Sequence, residues 1–336
     1  DCMHFCTFLS VSASALTLAS NLFPSATRHS AFQDRRKQKK QYSFYCVLRR
    51  VSIIGKPSLS FTMASPSWLQ QSLHPSGTLI LTFSNGPVNA LAARLRIDIA
   101  NAIKDANANP EIKAVVLTSD YSKGFFSGGA DISEFASFAE GSSPLVGSSD
   151  AYDLAEAGEK PVVAAIGGVC FGGGLEIVLC CAARVSTRQG QFALPELKLG
   201  IIPGLGGTQR LPRLVGFKNG LEMMIYSSTV NAKSALDVGL VDELVEDPNV
   251  LVDRAVQVAM EIASGKRKRN VSLLRNDKLA SKEECEQIAR QVQSAPSYKK
   301  VSANGAMKQF DECVRVSLLG VAQGGQAGIR EEANAF

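Results

Sequence analysis

Short apolar segments separated by glycine turns constrain the fold of this chain most strongly. Continuous apolar runs over AVVLTS (114–119) and PVVAAIGG (161–168) predict two buried strands, because each run is short and bounded by turn residues. GTLILTFSN (77–85) first alternates and then runs apolar, which predicts a third strand. Helical patterns separate these segments. Strand, helix and strand in alternation predict an α/β fold with crossover connections.

The helical patterns cover much of the remaining chain. Leu91, Leu95, Ile99 and Ile103 recur at four-residue spacing, which predicts an amphipathic helix that Asn89 caps. Turn residues, including Pro203 and Pro212, dominate GIIPGLGGTQRLPRLVG (200–216), which indicates a turn-dense segment rather than a helix. Further helices are predicted over residues 174–183, 220–226, 232–238, 250–263, 281–294 and 306–319.

One stretch places a carboxylate where apolar residues are expected. In VCFGGGLEIVLCC (169–181), three glycines precede Glu176, and an apolar run follows it. Glu196 lies in a similar setting, in QFALPELKLGIIPG. A buried carboxylate is costly unless something pairs with it, so each glutamate is either a satisfied structural acid or a functional group. Two such carboxylates that face one cleft would shift each other's pKa and could hold a water molecule.

Two glycine turns suggest a second functional element. SGGAD (127–131) and FGGGLE (171–176) each follow a buried strand and are predicted to precede a helix. Backbone N–H groups are unpaired at a helix N-terminus, and two that point to one place form an oxyanion hole. Either turn alone is also explained by ordinary turn geometry.

Composition excludes several function classes. The chain has 336 residues, and its three histidines are His4, His29 and His74, so catalysis by Ser-His-Asp or Cys-His and the usual His-containing zinc sites have no support in the rest of the chain. No dinucleotide fingerprint or P-loop occurs, and GLGGTQ only approaches one. No apolar run reaches the roughly 18 residues of a membrane helix. We therefore expect neither a metal nor a redox cofactor.

The basic excess lies at the beginning of the chain. The net charge is +5, and residues 1–62 contribute +7, so residues 63–336 sum to −2 and do not favour a nucleic-acid binder. Residues 1–62 are rich in serine and poor in acids, as in an organelle transit peptide, but MASPSW at Met63 resembles a natural start. They are therefore interpreted as a disordered leader or as non-native upstream sequence. Scattered cysteines without CxxC pairs indicate a reducing compartment.

Together, four segments resemble the crotonase family, the enoyl-CoA hydratase/isomerase superfamily. They are FFSGGADISEF, AAIGGVCFGGGLEIVLCCAARVS, FALPELKLGIIPGLGGTQRLPRLVG and ALDVGLVDELV. Within the family, the chain is most similar to the hydratase part of peroxisomal multifunctional β-oxidation enzymes. The resemblance implies a spiral ββα core with C-terminal helices. It also implies a crotonase-like domain over residues 63–265 and a helical connector over 266–336 that ends before a dehydrogenase part.

The resemblance also implies roles for individual residues. Glu176 and Glu196 match the two catalytic carboxylates, while the amides of Ala130 and Gly173 match the oxyanion hole. Neighbouring candidates for substrate binding are Asn89, Ala90, Asp131 and Ile132.

The implied activity is hydration of a 2-enoyl-CoA thioester in fatty-acid β-oxidation. The implied partner is an acyl-CoA thioester, with coenzyme A as part of the substrate and no separate cofactor. A homo-oligomer is possible, and the implied compartment is the peroxisome, or a mitochondrion or plastid if residues 1–62 are a transit peptide. Two alternatives are a Δ3,Δ2-enoyl-CoA isomerase and a non-catalytic scaffold or binding protein.

Overall fold

A six-stranded sheet forms the centre of the fold, and apolar side chains cover both of its faces. The computed structural model describes residues 68–131, 133–134, 150–302 and 307–336, and all of them belong to one compact unit, Ala64–Phe336. The strand order is β1-β2-β3-β5-β7-β10, with β1 antiparallel to β2 and the other neighbours parallel. These strands are β1 Leu69–Leu73, β2 Thr78–Phe83, β3 Ala114–Ser119, β5 Val162–Ile166, β7 Ala183–Thr187 and β10 Glu243–Val245.

The two-residue period of the strands divides the core between the two faces of this sheet. Val115 and Leu117 of β3 belong to the larger core cluster, whereas Ala114 and Val116 belong to the smaller one. The strands β5 and β7 are also buried along their whole length. This two-sided burial explains why the sequence shows continuous apolar runs here instead of alternation.

A second, four-stranded sheet contains the short strands that follow three of the central strands along the chain. Its order is β4-β6-β8-β9, and only the β8–β9 pair is antiparallel. The central strands β3, β5 and β7 are each followed by a short strand in this second sheet, which gives the repeated ββ unit of the expected ββα core. The four strands are β4 Phe125–Ser127, β6 Val169–Phe171, β8 Gln191–Ala193 and β9 Val230–Asn231.

Helices surround the two sheets. The helix α7 packs on β3, β5 and β7, and α1 packs on α2. The helices are α1 Ala93–Ala108, α2 Asp150–Ala157, α3 Gly173–Cys180, α4 Gly207–Val215, α5 Phe217–Ile225, α6 Ala232–Val238, α7 Leu251–Ala263, α8 Lys282–Ser294, α9 Pro296–Ser302, α10 Met307–Gln323 and α11 Gly325–Ala335.

The C-terminal helices pack directly on the rest of the unit. The helix α8 contacts α5, α10 contacts α4 and α5, and α11 contacts α4 and α10. The basic segment 265–270 also has contacts within the unit, because Arg267 pairs with Glu243 and the guanidinium of Arg269 donates to the backbone of α2. Residues 266–336 therefore contribute to the same packed unit. The predicted domain boundary at residue 265 remains a prediction.

Three sequence predictions require correction. Asn89 does not cap the first helix, because α1 begins at Ala93 and Asn89 lies upstream in the left-handed region with φ of 51°. The helix predicted over 174–183 ends at Cys180, and Ala183 begins β7. A uniformly apolar run carries no period that marks such a boundary.

The third correction concerns the segment that we expected to be turn-dense. Residues 200–216 contain the helix α4, with Pro212 inside it. Because glycine and proline are typical of turns, their frequency in this segment indicated a turn although part of it is helical. The helix predicted after residues 127–131 lies largely outside the described residues.

Candidate active site

An open cleft lies where the two glycine turns face the two glutamates that the sequence singled out. Its empty volume is about 530 Å³. Glu176 and Glu196 both line it, together with Ala130 and Gly173. The other lining residues are Gly128, Gly129, Gly172, Pro195, Leu199, Ile201, Gly204, Leu205 and Phe336.

The glycines before Glu176 place the first turn of α3 against the second sheet. Gly172 precedes the helix with φ of 53°, a conformation that L side chains rarely adopt. A Cβ on Gly174 would lie 2.6 Å from the Cβ of Ser127, so only glycine allows α3 to approach the end of β4 this closely. Glu176 therefore reaches the cleft from a turn whose position depends on glycine.

Two backbone amides hold the Glu176 carboxylate. The N–H groups of Leu205 and Gly207 both donate to Oε1 of Glu176, over 2.8 and 2.9 Å. The Glu176 side chain is buried, with 2% relative exposure, and burial raises its pKa above the ordinary value. The two amides and the nearby Arg210 guanidinium oppose this rise, because they stabilise the ionised form. Glu176 is thus held in a fixed position, and the two amides and Arg210 keep its pKa from rising as far as burial alone would raise it.

Glu196 is in a different environment. It begins a short 3₁₀ helix, Glu196–Leu199, after β8, and is 8% exposed. Its Oε2 atom is buried and has no hydrogen-bond partner among the described residues. Burial raises the pKa of Glu196 well above its usual value, and the nearby charges of Glu176 and Glu332 raise it further. Burial and these two charges therefore stabilise the neutral form of this side chain relative to that of an exposed glutamate.

The two amides expected to form an oxyanion hole lie close together. A Cβ on Gly173 would lie 3.5 Å from the backbone nitrogen of Ala130, and a Cβ on Gly129 would lie 3.6 Å from the nitrogen of Gly173. Gly173 is in the first turn of α3, where amides have no acceptor within the helix. Both residues line the cleft beside the two glutamates. The arrangement can stabilise a negatively charged oxygen next to an acid–base pair.

Comparison with known proteins identifies the family to which this chain belongs. The family model described as enoyl-CoA hydratase/isomerase matches residues 74–313. The chain belongs to the enoyl-CoA hydratase/isomerase family. Its curated relatives include a probable enoyl-CoA hydratase from Bacillus subtilis (strain 168), 36% identical over 205 residues, which span 58% of this chain and 76% of that protein.

Multifunctional proteins are also among the family members that the chain resembles. The peroxisomal fatty acid beta-oxidation multifunctional protein AIM1 from Arabidopsis thaliana is 38% identical over 264 residues, 77% of this chain and 36% of that protein. The chain therefore spans about a third of the length of such relatives. The crystal structure of enoyl-CoA hydratase from Bacillus anthracis has a TM-score of 0.54 and 26% identity, and covers 76% of this chain and 95% of that chain. These similarities confirm the predicted crotonase-like fold.

Three of the neighbouring substrate-binding candidates, Asn89, Ala90 and Asp131, are not among the residues that line the cleft. The Asn89 side-chain amide donates to the backbone oxygens of Asp120 and Phe125, and the backbone oxygen of Ala90 accepts from Asn85. The Asp131 carboxylate accepts from the backbone and the hydroxyl of the exposed Ser133. The Asn89 side chain thus joins segments that are distant along the chain, whereas Ala90 and Asp131 bond within local turns. Ile132 lies outside the described residues.

Sequence analysis missed several groups around the cleft. Arg210 of α4 is buried and pairs with Glu156 over 2.8 Å. Glu332 of α11 is buried near the catalytic candidates, and Phe336 lines the cleft. Buried positions Gly325, Gly328 and Glu332 share one face of α11, so helical periodicity was the available signal.

Among the described residues, no group of three or more His, Cys, Asp or Glu could hold a metal ion. No helix of the same residues has the length and apolar character needed to cross a membrane.

Proposed function

We propose that this chain is an enoyl-CoA hydratase that adds water across the 2,3 double bond of a 2-enoyl-CoA thioester. One observation carries the proposal: two buried glutamates and the two amides of separate glycine turns line the same cleft. Family membership supports the acyl-CoA thioester as the substrate class. The site needs no further group for this reaction, because the thioester supplies the electrophile and the glutamates supply proton transfer.

The different environments of the two glutamates favour different roles for them in proton transfer. Two backbone amides and Arg210 stabilise the ionised form of Glu176, which suits a general base. Burial and neighbouring carboxylates favour the neutral form of Glu196, which suits a proton donor. The two carboxyl groups interact, so their titration belongs to the pair. We assign the base to Glu176 and the donor to Glu196.

Hydration then proceeds with each proton accounted for. Glu176 takes one proton from water as the water oxygen bonds to the β-carbon, and the π electrons move towards the thioester oxygen. The amides of Ala130 and Gly173 stabilise the negative charge on that oxygen, and losing one such donor typically costs about 3 kcal/mol. Glu196 delivers a proton to the α-carbon as the thioester carbonyl re-forms. The product is a 3-hydroxyacyl-CoA, and a proton passes back from Glu176 to Glu196 to complete the cycle.

The proposed setting is fatty-acid β-oxidation in the peroxisome. Relatives described as peroxisomal or glyoxysomal β-oxidation multifunctional proteins support this compartment and pathway. Coenzyme A binds as part of the substrate, and its contacts supply binding energy away from the reacting carbons. Neither a metal nor a nicotinamide takes part in the proposed reaction.

Turnover by the purified protein tests this proposal. Short, medium and long 2-enoyl-CoAs are offered in turn, and loss of the conjugated enoyl absorbance is followed. We expect consumption of at least one chain length, with equal rates after addition of EDTA or of NAD. A protein that leaves every 2-enoyl-CoA unchanged but reduces NAD with a 3-hydroxyacyl-CoA would contradict the proposal.

A 3-enoyl-CoA substrate separates hydration from double-bond isomerisation. An isomerase creates the conjugated absorbance from this substrate, whereas a non-catalytic scaffold changes neither compound. Isomerisation without hydration would favour the isomerase alternative, because that reaction needs the oxyanion hole and a single carboxylate.

A further inference from the structure

Four successive backbone amides at the start of α4 are divided between two carboxylates. The segment is residues 205–208, LGGT. Its first and third amides donate to Oε1 of Glu176. Its second and fourth amides donate to the two carboxylate oxygens of Glu332, on the C-terminal helix α11. The same short segment therefore connects the proposed catalytic base to a residue far along the chain.

The Glu332 carboxylate is fully enclosed and has a complete set of donors. Its side chain is 0% exposed, and its Oε2 atom accepts from both the backbone N–H and the hydroxyl of Thr208. Its Oε1 atom accepts from Gly206. Since both oxygens accept backbone N–H groups, a carboxylate fits this position and a side-chain amide does not.

Close packing fixes the positions of α10, which contains Val316 and Gly320, and of α11, which contains Gly328, against α4. The Gln209 side chain donates to the backbone of Val316 and to the Thr208 hydroxyl. A Cβ on Gly320 or Gly328 would lie 1.6 or 2.1 Å from the Gln209 Oε1 atom, so the two glycines leave room only for this side chain. The backbone of Glu332 is consequently held in one register relative to the segment 205–208.

We propose that Glu332 is a positioning residue, which holds the second and fourth amides of segment 205–208 and thereby fixes the two amides that orient Glu176. The inference rests on the hydratase activity proposed above. Without Glu332, two of the four backbone amides in segment 205–208 lose their carboxylate acceptor. The two amides that donate to Glu176 are then free to shift. A misplacement of about 1 Å at a reacting group can lower the rate about 100-fold.

The charge of Glu332 also reaches the proposed proton donor. Its negative charge is one of the causes that raise the pKa of Glu196. Removal of that charge therefore lowers the pKa of Glu196, and the rate should fall at a lower pH on the alkaline side. The titratable groups that face Glu332, from the elements packed around it, are Glu176, Glu196, Arg210 and Cys313.

The variant Glu332→Gln tests this inference in the full chain. Its matched control is Glu331→Gln on the same helix, which removes an exposed ion pair with Arg315 and does not touch segment 205–208. For Glu332→Gln we expect kcat to fall about 10- to 100-fold, with KM within about twofold of the parent value. The alkaline limb of its pH–rate profile should move to lower pH. Glu331→Gln should retain the parent kcat and profile.

Parent kcat and an unmoved alkaline limb in a folded Glu332→Gln protein would overturn the inference. If Glu332→Gln does not fold, Thr208→Val is the deciding variant. It removes the hydroxyl that donates to Glu332 and accepts from Gln209, and it keeps the backbone donor. We then expect kcat to fall about 3- to 10-fold from the lost hydrogen bond to Glu332, and an unchanged kcat would overturn the inference. A parent protein that hydrates no 2-enoyl-CoA would instead refute the proposed function.

Discussion

Replacement of Gly207 by alanine should misplace the proposed base by a calculable amount. A Cβ at this position would lie 2.9 Å from Oε1 of Glu176, 2.9 Å from Cβ of Pro203 and 3.0 Å from Cδ1 of Leu194. Ordinary contacts begin at 3.4 Å, so the carboxylate must move by about 0.5 Å, the difference between 3.4 and 2.9 Å. Because a 1 Å misplacement can cost about 100-fold, we expect kcat to fall about tenfold, with little change in KM.

Stability measurements separate this local effect from general damage. Overpacking at Gly207 should cost about 1–3 kcal/mol of unfolding free energy, measured by urea denaturation. The matched control is Gly265→Ala, where φ is 75° and no heavy atom of the described residues lies within 4 Å of the added Cβ. Its left-handed backbone should cost about 1–2 kcal/mol without touching the cleft. Parent kcat in Gly207→Ala, or an equal loss in Gly265→Ala, would refute the reasoning.

Two further predictions concern buried charges. Burial raises the pKa of Glu332 from 4.5 to about 8, so its contribution to stability is present below pH 4.5 and is lost as the pH rises through about 8. Urea denaturation should show a smaller loss of stability over that range in Glu332→Gln, and equal losses would contradict the assigned pKa. Glu156→Gln removes the negative charge that lies 2.8 Å from the buried Arg210 guanidinium and should cost about 3–5 kcal/mol of unfolding free energy. Glu286→Gln, which breaks the exposed 3.8 Å pair with Lys282, should cost less than about 1 kcal/mol, and equal costs would contradict this account.

The sequence predicted the elements whose signal is local. Short apolar runs predicted the central strands, and the four-residue spacing of Leu95, Ile99 and Ile103 predicted the buried face of α1, although that helix begins after Leu91. The helix predicted over 281–294 is confirmed as Lys282–Ser294, where Ser281 and Glu284 form a capping box. These features depend on residues within a few positions of one another.

Features that depend on distant contacts were not predictable in this way. The hydrogen bond from Gly206 to Glu332 joins residues 126 positions apart. Glu332 is buried and its neighbour Glu331 is half-buried, but nothing in the local sequence distinguishes the two glutamates. Asn89 carried the signal of a helix cap, but its side chain bonds to segments 31 and 36 residues away. Tertiary contacts overrode the local signal there. Both glutamates were identified from the sequence. The residues that surround them in the cleft come from distant parts of the chain, so the complete fold was needed to find them.

Paired activity measurements on Glu176→Gln and Glu196→Gln test the central claim most directly. Both amides on Glu176 donate to the single atom Oε1, so the glutamine oxygen can accept both and keep the side chain in place without exchanging a proton. Hydration should fall by about 2–4 orders of magnitude in Glu176→Gln, with more of any isomerase activity retained, and both activities should fall in Glu196→Gln. Melting curves should confirm that each variant is folded. Near-normal hydration by a folded Glu176→Gln protein would contradict the account, because it would remove the proposed base from the reaction.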